Sequence, residues 1–410
     1  MAKAASAKLA IDGGKKVYSG SFPGWPVFEE STIQKVADVL RSGKVNYWTG
    51  EEGRLFEKEF AQSVGVEYAV ALMNGTVALE AALMAFDIGP GDEVVVTPRS
   101  FIASASCAVM RGAKPVFVDI DRNSQNIKSA LIESALTQRT RAIIAVHLAG
   151  WPCDMDEITT LAKEKGLAVI EDCAQAAGAL YKGRPVGSFG DAAAFSFCQD
   201  KIMTTGGEGG MLVTKSKYVW SKVWSYKDHG KSFDAVYSDA DQQPGACFRW
   251  LHESFGTNWR MTEMQAALGR VQLRKLPGWV EKRRRNASLL THAFQKIPAF
   301  RVPVPPDDRD HAYYKYYVFI KSELLKKGWD RKRVVMAINE EGIPCFTGSC
   351  SEIYMEKAFD ADQLRPKKRL PVAEELGQTA MMFLVHPTLN EEDMQDTIQA
   401  VAKVMSAASK

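Results

Sequence analysis

Hydrophobic and polar positions divide the chain into regions of different period. Residues 1–30 hold no sustained period and gather Gly and Pro around "SGSFPGWPVF", which predicts an irregular arm. From about residue 31 to "VADVLRSG", and again over "RLFEKEFAQSVG", apolar residues recur at helical spacing. Short β-branched runs then alternate with helical segments. "DEVVVT" (92–97), "KPVFVDI" (114–120), "AIIAVHL" (142–148), "LAVIED" (167–172), "AAAFSF" (192–197) and "GGMLVT" (209–214) predict buried strands. "FIASASCAVMRG", "SALIESALTQRT" and "DMDEITTLAKEKG" between them predict helices. Near-continuous apolar strands separated by helices imply an α/β layer with a largely parallel sheet. After about residue 255 the pattern changes. A long helical stretch, "MTEMQAALGRVQLRKLPGWVEKRRRNASLLTHAFQKI", is expected to break at Pro277. A Pro-rich "RVPVPPDD", a strand-like "YYKYYVFI", a helix "RKRVVMAINEEG" and a last helix near 391–407 follow, a smaller α+β unit. The aromatic run "HAYYKYYVF" (311–319) reads as a buried strand of that unit.

The length of 410 residues exceeds what one core holds, so more than one domain is expected. The pattern divides it into an arm over 1–30, a large α/β domain over 31–260, and a linking helix with a small α+β domain over 261–410. Charge is balanced, +3 from 52 basic and 49 acidic residues, and gives no electrostatic case for nucleic acid or a membrane surface. Apolar runs are far short of a span, and the start lacks a signal-peptide core. Cys107, Cys153, Cys173, Cys198, Cys247, Cys345 and Cys350 are odd in number, with no C-x-x-C pair. That usage predicts a reducing, cytoplasmic setting and no metal site.

Three stretches carry candidate chemistry. In "NGTVALEAALMAF" (74–86), Asn74-Gly75 forms a turn and Thr76 can cap a helix. Such an N-terminus offers free N–H groups to a phosphate, and it also reads as an ordinary cap. "LAVIEDCAQAAGA" ends a strand on Glu171-Asp172, where open α/β sheets place ligands. Asp172 there either caps the next helix or pairs with a cationic ring nitrogen. Lys201 follows "AAAFSF" and precedes "TTGGEGG". It reads either as a snorkelling lysine or as a desolvated amine of lowered pKa, ready for covalent chemistry. A phosphate seat, an acid at one strand end and a lysine after the next are together what pyridoxal 5′-phosphate (PLP) requires.

The ordered series "SGKVNYWTG", "NGTVALEAAL", "GPGDEVVVTPRSFIASASCAVMRGAKPVFVDID", "VHLAGWPCDMDEI", "VIEDCAQAAGALYKGRPVGSFGDAAAFSF", "DKIMTTGGEGGMLVT", "DHG" and "TNWRMTEMQAALGRVQL" resembles the DegT/DnrJ/EryC1/StrS sugar aminotransferases over nearly the whole chain. The resemblance implies an α/β, aspartate aminotransferase-like (fold type I) PLP enzyme: a large domain with a mixed, mostly parallel sheet, and a smaller C-terminal α+β domain. It implies that Lys201 tethers PLP and that Asp172 faces the pyridine nitrogen. Gln175 would lie against the ring, Gly75, Thr76 and Ser196 would hold phosphate, and Phe101 would stack. Asn258 would reach the phosphate of a neighbouring subunit, making a homodimer with shared sites. Lys182, Arg184, His229, Lys231 and Lys315 are candidate contacts for a substrate diphosphate, and each also reads as a solvated charge. The chain departs from the family's pattern at Asn74, Trp259 and Ala177, and in the spacer Cys198-Gln199-Asp200.

By the same resemblance, L-glutamate donates and leaves as 2-oxoglutarate, with pyridoxamine 5′-phosphate as the carrier. The freed Lys201 amine moves the proton between the donor's α-carbon and cofactor C4′. The acceptor expected from the family is a nucleotide-linked keto-sugar, a UDP-4-keto-6-deoxy-N-acetylhexosamine made for surface glycans. A 3-keto dTDP-sugar and a keto-cyclitol stand as rivals. A non-catalytic PLP-binding regulator is a rival of another class, without a DNA-binding helix pair to support it. A dinucleotide-binding oxidoreductase lacks its G-x-G-x-x-G turn.

Overall fold

The computed structural model describes residues 8–237, 250–360 and 364–410; Cys247 and the first seven residues of the arm lie outside them. The chain lays down β1 (Tyr68–Leu72), β2 (Glu93–Val96), β3 (Lys114–Phe117), β4 (Thr140–Val146) and β5 (Ala168–Asp172). A short hairpin, β6 (Leu180–Tyr181) and β7 (Arg184–Pro185), precedes β8 (Ala192–Ser196) and β9 (Gly210–Thr214). Among the described residues these build a seven-stranded sheet, β1-β9-β8-β5-β4-β2-β3. β2, β3, β4, β5 and β8 run parallel, and β9 runs against both of its neighbours. The central strands are buried on both faces, which is why they read as unbroken apolar runs.

Helices α1 (Glu30–Ser42), α2 (Glu52–Val64), α3 (Gly75–Ala85), α4 (Ala103–Met110), α5 (Ser129–Ala135), α6 (Met155–Lys165), α7 (Lys217–Tyr226) and α8 (Phe233–Tyr237) belong to this part of the chain. α3 is Ala-rich and buried on most of its surface, which lets its backbone lie close to β8 and β9. The remainder carries the long α9 (Glu263–Phe294), α10 (Arg331–Glu340), α11 (Pro371–Thr379) and α12 (Glu391–Ala408). An antiparallel sheet of β10 (Phe300–Arg301), β12 (Tyr316–Ile320), β14 (Ala380–Phe383) and β13 (Cys345–Phe346) packs with them. β11 (Arg309–Asp310) pairs instead with β6. No helix among the described residues is long and apolar enough to cross a membrane.

Three expectations change. α9 runs through Pro277 rather than breaking there. Its buried side chains continue on both sides of the proline, Leu268 and Leu276 before it and Val280, Leu290 and Phe294 after it. Burying each such side chain contributes about 1.5–3 kcal/mol, and together they outweigh the ~3 kcal/mol that an interior proline costs. The helix of "SALIESALTQRT" stops at Ala135, and Thr140 already belongs to β4, because Thr140 and Glu93 tie this turn to the sheet. β1, over "YAVAL", is a strand that the pattern of short apolar runs did not assign.

Candidate active site

The C-terminal ends of the parallel strands bring the candidate groups to one place. Asp172 ends β5 opposite Val146 and Ala194, Ser196 ends β8 opposite Gly210, and Leu72 at the end of β1 also faces Gly210. Above this edge lies a cavity of about 520 Å³, lined by Gly75, Thr76, Phe101, Asp172, Gln175, Ser196 and Lys201 among others. Its size suits a bound cofactor with a small substrate.

α3 starts at the cavity wall, and its cap corrects the expectation for Thr76. Asn74 is extended (φ −166°, ψ 172°), and its Oδ1 accepts the Val77 N–H at 3.0 Å. Asn74 is therefore the cap, and Gly75 and Thr76 are the first helical residues. Their N–H groups belong to the unpaired first turn, at the positive end of the helix dipole. Gly75 is required by close approach: a Cβ there would stand 2.7 Å from the Ser196 Cβ.

Asp172 is 4% exposed. No helix follows it, so it caps nothing; its Oδ1 accepts from the Ala174 N–H at 3.1 Å in a local turn. Oδ2 accepts from Ser104 Oγ at 2.7 Å, and Ser104 is joined to Ser100 at 2.9 Å. Glu171, one residue earlier, points to the other face of the sheet. There it accepts from Gly187, Phe189 and Gly190 N–H groups and meets His147 Nε2 at 3.0 Å. Burial pushes its pKa up, but His147 and the backbone donors outweigh that and hold it below the ordinary value. His147 Nδ1 accepts from the Cys153 N–H, so both ring nitrogens are engaged. His147 and Glu171 thus spend their polar atoms on each other and on backbone groups, with the buried Cys173 beside them.

Gln175 is buried and fixed by the Ala149 N–H on its Oε1, at 2.8 Å. Phe101 is 66% exposed at the mouth. Lys201 is half-buried, and among the described residues its Nζ has no hydrogen bond or ion pair; it lies 4.9 Å from the Tyr314 ring centre. The Trp25 indole N–H holds the Lys201 carbonyl at 2.8 Å.

Ser104, Glu208, Tyr314, Ser349 and Cys350 line the cavity without a sequence signal, and Asn74 and Asp200, noted in the sequence only as a turn residue and as part of a spacer, line it too. Tyr314 had been absorbed into the strand signal, yet β12 begins at Tyr316 and Tyr314 faces the cavity. Its hydroxyl donates to Asp200, which also pairs with Lys315 at 3.4 Å. Burial pushes Asp200 up, but Tyr314, Lys315 and Lys201 hold it below the ordinary carboxylate range. Burial pulls Lys315 down, with Asp200 opposing. The Asp-Lys doublet of 200–201 was the one available signal for this group.

None of the five predicted diphosphate contacts lines this chain's cavity; Lys315 reaches its edge only by pairing with the lining residue Asp200. Lys182 is paired with Asp156 at 2.6 Å, and Arg184 stacks 4.4 Å over Phe189, both on the hairpin that joins β11 instead. His229 is exposed in a left-handed turn (φ 60°). Lys231 binds Asp228 at 3.3 Å. Asn258 is exposed and bridges Asp228 through the backbone, also outside the lining. Asp228 is a hub that the sequence did not reveal. It receives Arg260 at 2.6 Å and sits 3.9 Å from the fully buried Lys227, whose pKa burial lowers to about 8.

The residues fit PLP: an uncommitted lysine amine and a buried, hydrogen-bonded carboxylate share a cavity with a helix N-terminus that glycine keeps open. This is a fold type I, PLP-dependent aminotransferase. A family model, the DegT/DnrJ/EryC1/StrS aminotransferase family, matches residues 26–402. The spore coat polysaccharide biosynthesis protein SpsC of Bacillus subtilis is 35% identical over 385 residues, 93% of this chain and 96% of that one. The UDP-N-acetyl-3-dehydro-alpha-D-glucosamine 3-aminotransferase of Acidithiobacillus ferrooxidans is 36% identical over 84% of this chain and 86% of its own. The crystal structure of an aminotransferase from Psychrobacter cryohalolentis superposes with a TM-score of 0.92 at 55% identity, covering 94% of this chain and 99% of that one. The chain belongs to the DegT/DnrJ/EryC1/StrS aminotransferase family, the sugar aminotransferases.

Proposed function

We propose that this enzyme moves an amino group from L-glutamate to a UDP-linked 4-keto-6-deoxy-N-acetylhexosamine in the cytoplasm, as a step toward a surface glycan. The observation that carries the reading is the free Lys201 amine in a cavity with the Ser104-held carboxylate of Asp172. The relatives acting on a UDP-N-acetyl sugar and in coat polysaccharide synthesis support the acceptor class. PLP, when bound, supplies the electron sink for the pair released when a C–H bond beside nitrogen breaks. Lys201 Nζ would tether it and, once freed, would take the proton from the donor's α-carbon and return it on the cofactor side, with the keto-sugar served in the reverse sense. Asp172 keeps the ring nitrogen protonated, and Ser104 and the Ala174 N–H fix that carboxylate. Gly75, Thr76 and Ser196 would hold the cofactor's phosphate, and Gln175 and Phe101 would hold its ring. Asn258, His229 and Lys231 lie outside this cavity and serve the site of a second subunit in a homodimer. Residues 31–260 hold the cofactor, and residues 261–410 close the cavity through Tyr314, Ser349 and Cys350.

The test loads the enzyme with pyridoxamine 5′-phosphate and offers keto acceptors singly, following the cofactor absorbance. Reaction with the UDP-4-keto-6-deoxy sugar is expected. Reaction confined to a 3-keto dTDP-sugar or to keto-inositol would replace the proposed acceptor.

A further inference from the structure

The cavity holds three acids, Asp172, Asp200 and Glu208, and Lys201 is the one cation in its described lining. A dicarboxylic donor entering it needs a positive partner that Lys201, as tether, does not supply. Arg99 adjoins that wall. It follows β2 at the ligand edge of the sheet and precedes the lining residues Ser100 and Phe101. Its side chain is 0% exposed. Nε donates to Gln125 Oε1 at 2.7 Å, while Nη1 and Nη2 have no partner among the described residues. Gln125 sits in a left-handed turn (φ 65°), its N–H donating to the Asp121 carbonyl at 2.9 Å. The guanidinium sits 5.6 Å from the Tyr317 ring centre, which offsets part of the cost of burial. Tyr317 in turn binds the Ser349 N–H at 2.8 Å, and Ile353 N–H binds the Pro98 carbonyl at 2.8 Å. The segment Ser349–Ile353 is thereby moored against Arg99, and its Ser349 and Cys350 line the cavity. Burial lowers the Arg99 pKa, with Tyr317 and Cys350 opposing. A buried cation with two open donor nitrogens is an anion receptor in waiting, since burial without a counter-ion costs several kcal/mol. Arg283 is also buried with Nε and Nη2 open, but its Nη1 donates to the carbonyls of Tyr313 and Tyr314, its guanidinium lies over the Trp25 ring, and it precedes no lining residue of the cavity.

We infer that Arg99 receives a carboxylate of the amino donor, reached past Ser349 and Cys350, in a planar two-nitrogen contact. This rests on the aminotransferase reading above. Arg99→Met tests it, with the two half-reactions followed separately by cofactor absorbance. The glutamate concentration for half-maximal rate should rise about ten- to a hundredfold, with the acceptor half-reaction unchanged. An unchanged donor half-reaction overturns the inference. A shift confined to the acceptor half overturns it too, and gives the guanidinium to a substrate phosphate. Equal losses in both halves mark a structural role and also overturn it. Should the variant not fold, calorimetry on the wild-type holoenzyme decides. Glutarate, a dicarboxylate with no amine to give, should bind and be displaced by 2-oxoglutarate; no binding at tens of millimolar refutes the site. Failure of wild-type enzyme to react with glutamate would count against the donor assignment, whereas glutarate binding reads carboxylate recognition without any amino transfer, and Arg99→Lys, which keeps the charge, should weaken it less than Arg99→Met.

Discussion

Gly75→Ala puts the phosphate seat under strain that the structure lets one size. The new methyl would lie 2.7 Å from the Ser196 Cβ, 3.1 Å from its Cα and 3.2 Å from its Oγ. Carbon pairs settle at roughly 3.5–4.0 Å, so the overlap is about 1 Å. Neither side yields easily. Ala78 and Leu79 bury the next turn of α3, and Ser196 is paired to Gly210 across the sheet. Such overpacking costs about 1–3 kcal/mol. If the strain falls on the first turn of α3, PLP should bind roughly 5- to 150-fold more weakly. Cofactor release, followed by absorbance after dilution into a PLP scavenger, measures this. Ser196→Gly in the same chain removes the Cβ contact but leaves the Cα at 3.1 Å and also deletes the Oγ assigned to the phosphate, so the melting temperature should recover in part while PLP retention should not. A Gly75→Ala enzyme that holds PLP and melts like wild type would refute the close-packed seat.

Tyr314→Phe removes the hydroxyl donor of Asp200. Asp200 is depressed in the fold, so its stabilisation is present above an unfolded pKa of about 3.9 and fades as pH falls through the folded value. The variant should be less stable than wild type at neutral pH, and the gap should close in acid, as urea melts across pH would show. Glu171→Gln turns one acceptor oxygen into an N–H among groups that donate, and urea unfolding should lose about 1–3 kcal/mol. Lys227 is depressed to about 8, below the ~10.4 of an unfolded lysine, so the unfolded chain holds more protons between these values and stability should climb with pH there. Lys227→Met should abolish that rise in melts from pH 8 to about 10.

What could be read from the sequence follows from how local its cause is. Strand-and-helix alternation placed Asp172 and Lys201 at neighbouring strand ends, because period and burial are set by nearby residues. Asn74 was passed over for Thr76, since both are capping types and only the backbone turn decides between them. Pro277 was misjudged because its local cost is visible, whereas the packing that outweighs it comes from distant parts of the chain. Tyr314 hid in an aromatic run that is mostly strand, and Arg99 carried no signal until its burial and open nitrogens were seen. Lys182 and Arg184 looked like phosphate contacts because a surface cation and a substrate cation have the same letters; their partners Asp156 and Phe189 separate them.

The central proposal is that the enzyme, with Lys201 as tether and proton carrier, moves nitrogen from glutamate to a nucleotide sugar. The most direct measurement incubates the holoenzyme with L-[15N]glutamate and the UDP-4-keto-6-deoxy-N-acetylhexosamine, and reads the sugar by mass spectrometry. The account predicts a labelled amino sugar with wild type and none above background with Lys201→Ala, even where that variant keeps PLP through its phosphate seat. Labelled product from Lys201→Ala at the wild-type rate, or unlabelled sugar from an otherwise active wild-type enzyme, would contradict it.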